Sequence, residues 1–478
     1  MEKRVKPLIN ALEKTAAKDR IIMHMPGHKA GRLFSQKFRD HMLQYDLTEL
    51  PGLDNFHRAR GVLANSMKAC AKAFGARETF FLVNGSTTGI HAMIAACLNH
   101  GDKLLVARNC HIAVINALIL FGIQPVFIMP QYDMEWQMAL PAGIESWQKA
   151  LAEHPDAKGA LVTSPDYYGV CTPLEELACL LHDRDKILLV DEAHGAHFAF
   201  SDHLPQTALQ QDADVCVQSM HKTLPSLTQT ALLHVGTNRI SLDRIKRSVS
   251  MLTTTSPSYI LMASMDYARD FAEWEGQERY ESLVGELDAM KNELADMEKL
   301  RLVPDTFRGF HRDATRVVVD ISRTAFSGYQ FSRILQEVYG IIAEMADESH
   351  VVLIVTPADT IRELTALRKA LRELDEQAMP CSEKTSFRPY DNQPLRCHIP
   401  SLSDYLGKVV YIPLESSAGF VSASMVTPYP PGVPVLCPGE TITENIIVQI
   451  QRLLRSGTEL QGLAENMGLI RVMDKETT

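Results

Sequence analysis

The chain has no CxxC pair and no regular cysteine spacing; its nine cysteines fall at positions 70, 97, 110, 171, 179, 216, 381, 397 and 437. That scatter excludes a disulfide framework and the usual zinc-ligand sets, and it predicts reduced thiols in a cytoplasm with no bound metal. No apolar run approaches the ~18 uninterrupted residues that a membrane-crossing helix needs, so no membrane partner is expected. The start is basic from Lys3 to Lys6, but Asn10, Glu13, Lys14 and Lys18 break up any apolar core, and no signal peptide is predicted. Charge forms no long block of one sign. The 48 Lys+Arg and 58 Asp+Glu give a formal net charge of −10, which argues against a nucleic-acid-binding face. No internal repeat is visible.

What the chain does have is length and apolar material: 478 residues, 46% of them hydrophobic, enough for two or three domains. Between residues 79 and 235, short apolar runs alternate with amphipathic stretches, a pattern that predicts parallel strands joined by crossover helices. Strands are expected at 79–83, 103–107, 125–129, 159–163, 186–190, 214–218 and 231–235, and helices at 90–98, 111–121 and 174–182. A long helix follows over 258–298, then strands at 315–320 and 351–356 and a helix at 358–375. Polar, proline-containing sequence over 376–396 reads as a linker or mobile surface loop. The expected fold class is α/β: a large, seven-stranded, mainly parallel sheet domain plus a smaller C-terminal α+β domain. The corresponding units are an N-terminal arm at 1–30, a large domain at 31–300 and a C-terminal region at 301–478.

Three local patterns carry chemistry. Asp191 ends the apolar run Lys186-Ile187-Leu188-Leu189-Val190-Asp191, at the strand edge where open α/β sheets place ligands. Lys222 lies one strand further on, in Ser219-Met220-His221-Lys222-Thr223. A lysine can hold an aldehyde as a Schiff base and a buried aspartate can keep a pyridine nitrogen protonated, so the pair points to pyridoxal phosphate. Asn84-Gly85-Ser86-Thr87-Thr88-Gly89 follows a strand and precedes a helix, where backbone N–H groups favour phosphate. Taken singly, each has a plainer reading: a strand-ending turn aspartate, a solvated lysine, an ordinary helix cap.

Together with further blocks these motifs resemble the Orn/Lys/Arg decarboxylases, which have the aspartate-aminotransferase-like fold (fold type I) of pyridoxal-phosphate enzymes. The similar blocks are His24-Met25-Pro26-Gly27-His28-Lys29, Val83-Asn84-Gly85-Ser86-Thr87, Arg108-Asn109-Cys110-His111, Asp191-Glu192-Ala193-His194-Gly195 and Ser219-Met220-His221-Lys222. Leu252-Thr253-Thr254-Thr255-Ser256-Pro257 and Pro428-Tyr429-Pro430-Pro431-Gly432-Val433-Pro434 with Pro438-Gly439-Glu440 complete the set across nearly the whole length. The resemblance implies that Lys222 binds the cofactor covalently, Asp191 pairs with its ring nitrogen and His111 stacks on the ring. Ser86, Thr87, Ser219 and His221 would hold the phosphate or flank the linkage. Thr255 and Ser256 would reach the phosphate of a neighbouring subunit, although read alone that segment is a helix N-cap. Lys222 and His221 are both candidates to return a proton to Cα.

A basic substrate needs an acidic receptor, and the resemblance points to Glu415 in Pro413-Leu414-Glu415-Ser416. Similarity to the short bacterial arginine decarboxylases of polyamine synthesis implies arginine as substrate, with lysine and ornithine as alternatives. A transaminase of the same fold and a non-catalytic cofactor-binding relative are the other readings. No receiver-like domain precedes the His-Met-Pro-Gly-His block, so a homodimer or a small multiple of dimers is expected rather than a large ring.

Overall fold

The computed structural model describes residues 6–381, 397–429, 432–464 and 468–473. Seven strands build its central sheet: β1 (Glu78–Leu82), β2 (Lys103–Ala107), β3 (Gln124–Ile128), β4 (Gly159–Thr163), β5 (Ile187–Asp191), β6 (Val215–Gln218) and β7 (Ala231–Val235). Their order is β1-β7-β6-β5-β4-β2-β3. All neighbours run parallel except β7, which lies antiparallel between β6 and β1. Each strand lies within one residue of its expected ends. The central strands are buried on both faces, which is why they read as continuous apolar runs rather than alternating ones.

Helices α1 (Gly85–Cys97), α2 (Ile112–Phe121) and α3 (Leu174–His182) connect the strands. Next come the single turn α4 (Met220–Thr223), α5 (Leu242–Leu252) and the 35-residue α6 (Tyr259–Glu293). α1 begins five residues before the expected 90, because its first turn carries small and hydroxylic residues and so lacks the apolar periodicity used to find it. The cap of α6 is Ser258, whose Oγ accepts from the Leu261 amide at 3.4 Å. The 252–257 segment is therefore not itself the N-cap. Buried residues recur along α6 every three or four positions, from Met262 through Tyr280 to Met290, giving one apolar stripe about 40 Å long.

That stripe joins the central sheet to a second, antiparallel sheet of β8 (Arg301–Leu302), β9 (Arg316–Asp320), β10 (Met345–Ala346) and β11 (His350–Ile354), in the order β8-β9-β11-β10. Helix α7 (Ile361–Gln377) packs on it, and Tyr280, Leu283, Val317, Leu353 and Leu371 share one core. The segment Ile21–Met23 pairs in parallel with Ile341–Ala343 as a separate two-stranded sheet, which ties the N-terminal residues to the segment leading into β10. A further unit contains β12 (Val409–Pro413), α8 (Glu444–Arg455) and β13 (Leu469–Met473), with its own core of Leu414, Val426, Leu436, Ile450 and Ile470. The expected linker begins just as α7 ends, and its residues 382–396 lie outside the described residues. Among the described residues no helix is long and apolar enough to cross a membrane.

Candidate active site

β4, β5 and β6 run side by side in register: Thr163 lies opposite Asp191, and Asp191 opposite Val217. β6 then passes through Ser219 into α4, which carries Lys222. Because the strands are parallel, their carboxyl ends form one rim, and a cavity of about 230 Å³ opens there. Ser86, His111, Asp191, His194 and Lys222 line it, with Tyr167.

Lys222 Nζ lies 2.9 Å from His194 Nε2 and 5.7 Å above the Tyr167 ring. Burial brings its pKa down to about 8; Asp191 and Glu344 oppose that fall and Arg316 assists it. Asp191 is itself buried, so desolvation raises its carboxyl, while Lys222 and the Ala193 amide, 3.2 Å from Oδ1, pull it back. His111 caps α2, its Nδ1 accepting from the Ala113 amide at 3.1 Å. Burial and the nearby Lys222 hold its pKa at about 4, leaving a neutral, flat ring on the cavity wall.

Of the residues expected to hold an anion, Ser86 lines the cavity in the first turn of α1, where N–H groups have no intrahelical partner. Thr87 is exposed on the same turn. Ser219 Oγ is buried and has no hydrogen-bond partner among the described residues. His221 does not line the cavity; its Nδ1 lies 2.9 Å from the Thr230 carbonyl, and burial holds the ring neutral with a pKa of about 4. Thr255 and Ser256 are exposed and away from the cavity of their own chain, although the Thr254 amide donates to Asn84 Oδ1 at 3.4 Å beside the cradle. Glu415 is not brought to this cavity. It is exposed at the end of β12, where Gln451 Nε2 donates to it at 3.5 Å. The acids that line the wall besides Asp191 are Asp166, Asp347 and Glu348.

Several blocks act as clasps around the site. Arg108 donates to both Glu440 oxygens, at 2.8 and 3.0 Å, and to the Pro434 carbonyl at 2.7 Å; both partners are buried. Gly432 (φ +82°) packs so closely on His111 that a Cβ there would lie 2.9 Å from Nε2. Gly27 passes the Lys222 turn, its amide donating to the His221 carbonyl at 2.7 Å, and a Cβ would lie 2.8 Å from the Leu224 carbonyl oxygen. Lys29, fully buried, donates to the carbonyls of His24 and Ile354 at 2.8 and 2.9 Å.

Two residues of this site have no role in the sequence reading. His194 stands in the Asp191 block but receives none there, and Arg316 opens β9, 122 positions later, with Nη2 2.7 Å from His194 Nδ1. The available signal for Arg316 was a charged residue at the head of the apolar run Arg316-Val317-Val318-Val319.

A helix N-terminus with Ser86, a buried acid, a neutral flat ring and a lysine of lowered pKa thus share one cavity at the carboxyl ends of parallel strands. Solved structures support that architecture. The lysine decarboxylase of Francisella novicida superposes with a TM-score of 0.77 at 18% identity, covering 98% of this chain and 81% of that one. Serine palmitoyltransferase of Sphingomonas wittichii gives 0.59 at 15%, covering 78% and 97%. The chain thus has the fold type I architecture of pyridoxal-phosphate enzymes. In sequence, it is 35% identical to the arginine decarboxylase of Bacillus subtilis over 98% of both chains. It is 28% identical to the lysine decarboxylase LdcA of Pseudomonas aeruginosa over 55% of this chain and 39% of that one. The Orn/Lys/Arg decarboxylase major domain matches residues 6–308 and the C-terminal domain of the same family matches 402–474. With the blocks it shares now gathered around one cavity, the chain belongs to the Orn/Lys/Arg decarboxylase family.

Proposed function

We propose that the protein uses pyridoxal phosphate to decarboxylate a basic L-amino acid, arginine foremost, giving agmatine and carbon dioxide. The observation that carries this reading is the meeting of Lys222, Asp191 and His111 on one cavity whose wall also bears three carboxylates. The names of the full-length relatives favour arginine. The residues fit the cofactor: the α1 amides with Ser86 suit its phosphate, and the unpartnered Ser219 hydroxyl offers a further donor. When bound, pyridoxal phosphate supplies a cationic ring that takes up the electron pair left as the Cα–carboxylate bond breaks. Asp191 would hold a proton on the ring nitrogen, and its burial would strengthen that interaction. His111, being neutral, would offer its flat face to the ring without adding charge. Lys222 would take the covalent linkage as a free amine, and it is better placed than His221 to return a proton to Cα, because of the two only Lys222 lines the cavity.

For the substrate's distal cation, Glu348 is the better receptor than Glu415. Its Oε2 accepts from Arg452 at 2.6 and 2.9 Å while Oε1 makes no hydrogen bond to the described residues. Asp347, by contrast, already accepts from Tyr168, His350 and the Ser349 amide. Glu348→Gln is expected to raise KM for arginine roughly tenfold to a hundredfold with kcat little changed, the scale of one charged hydrogen bond. An unchanged KM would return the role to another acid.

Exposed Thr255 and Ser256 fit a homodimer with shared sites. Coexpressed Thr255→Ala and Lys222→Ala chains should then complement, because a mixed dimer has one site with both residues intact. Activity no greater than the sum of the two homodimers would overturn the sharing. We place the reaction in cytoplasmic polyamine synthesis, which suits nine unpaired cysteines. The deciding experiment offers arginine, lysine and ornithine separately to the purified enzyme with pyridoxal phosphate and measures carbon dioxide and amine. Amine from none of them sinks the proposal, and a keto acid would indicate transamination.

A further inference from the structure

His194 lies between Arg316 and Lys222. Arg316 Nη2 stands 2.7 Å from His194 Nδ1, and a guanidinium can only donate, so Nδ1 must present its lone pair. Burial, with Lys222 and Arg316 nearby, holds His194 well below the usual histidine range, so the ring is neutral. Its single proton therefore sits on Nε2. That nitrogen is 2.9 Å from Lys222 Nζ, where its N–H needs an acceptor. An ammonium has no lone pair; a neutral amine does.

We propose that Arg316 is a positioning residue that fixes His194 as a hydrogen-bond donor to Lys222 and thereby favours the free, nucleophilic amine of Lys222 over its ammonium. Arg316 is built for this. It is 1% exposed, it opens β9, and its Nε lies 3.6 Å from Asp313 Oδ2, so the second sheet delivers the cation to the rim of the first. Among the described residues the other charged or titratable groups facing Lys222 are Asp191 and Glu344, which favour the ammonium, and His111 and His221, which are both neutral. Tyr167 lies beneath the amine and burial keeps it protonated. The relay rests on the reading of Lys222 as the cofactor lysine only for its purpose; its existence is tested without substrate or cofactor.

The test treats cofactor-free protein with formaldehyde and cyanoborohydride across pH and follows methylation of Lys222 by peptide mass spectrometry, with exposed lysines as internal standards. In the wild type the midpoint is expected near 8. Arg316→Met should raise it by about one pH unit, since the charge is lost and His194 can switch tautomer to accept from the ammonium. Arg316→Lys, which keeps a charged donor, should stay near wild type. In a His194→Ala background the Arg316→Met shift should shrink to its charge component. An unmoved midpoint in Arg316→Met, or an equal shift in both backgrounds, overturns the relay. Should Arg316→Met not fold, ¹⁵N-histidine spectra of the wild-type protein decide: an Nε2-protonated His194 supports the relay, and an Nδ1-protonated one overturns it. A relay that stands beside failed decarboxylation would refute the proposed reaction alone.

Discussion

Lys222→Ala is expected to lower turnover by roughly 10⁴-fold or more, the scale on which loss of a covalent catalyst acts. The visible absorbance band of a covalently held cofactor should disappear with it. Stability should move the other way. Lys222 has its pKa lowered from 10.5 to about 8 in the folded protein, so below pH 8 the unfolded chain binds the proton more tightly. The side chain therefore weakens the fold at neutral pH, and that penalty fades as pH rises from 8 to 10.5. The alanine variant should melt at or above the wild-type temperature at pH 7. Its advantage should vanish near pH 10. A variant that is inactive because it is unfolded would melt lower. One that keeps the visible band would show that another lysine holds the cofactor.

Breaking the Arg108–Glu440 pair is expected to produce the largest loss of stability. Both side chains are almost fully buried, at 1% and 0% exposure, and the contact is bidentate. Glu440→Ala leaves a guanidinium in the interior without its carboxylate, which destabilises by about 3–5 kcal/mol. The Cys437 amide, which donates to Glu440 Oε2 at 2.7 Å, loses its acceptor as well. Arg108 precedes His111 by three residues, and Gly432 packs on the His111 ring, so activity should fall before the protein melts globally. A double replacement of Arg108 and Glu440 by methionine should recover part of the stability, because it removes both buried charges. If Glu440→Ala melted within a degree of wild type, the clasp would not be what holds the C-terminal segment against the site.

These two cases separate what a sequence carries from what it does not. Lys222 and Asp191 were legible because the chemistry of each is marked by its local setting: an acid closing an apolar strand, a lysine one strand later. The strands β4, β5 and β6 were legible for a similar reason, since burial on both faces writes an unbroken apolar run into neighbouring positions. The start of α1 was not, because its small and hydroxylic first turn escapes the apolar period. Glu415 was named from the resemblance alone, and neither that nor its acidity says which way a loop turns: it is exposed, whereas Glu348 lines the cavity.

By itself, then, the sequence determined the α/β class, the order of the strands along the chain, the family and the pair Lys222–Asp191. Local periodicity and short motifs depend on neighbours within a few residues, and those are written in order. The tertiary structure alone decided that Arg108 meets Glu440 across 332 positions and that Arg316 reaches His194 across 122. It also decided that Glu348, rather than Glu415, lines the cavity. Such contacts arise only when parallel strands bring their ends to one rim and a second sheet closes over it, and no local pattern records the partner chosen there.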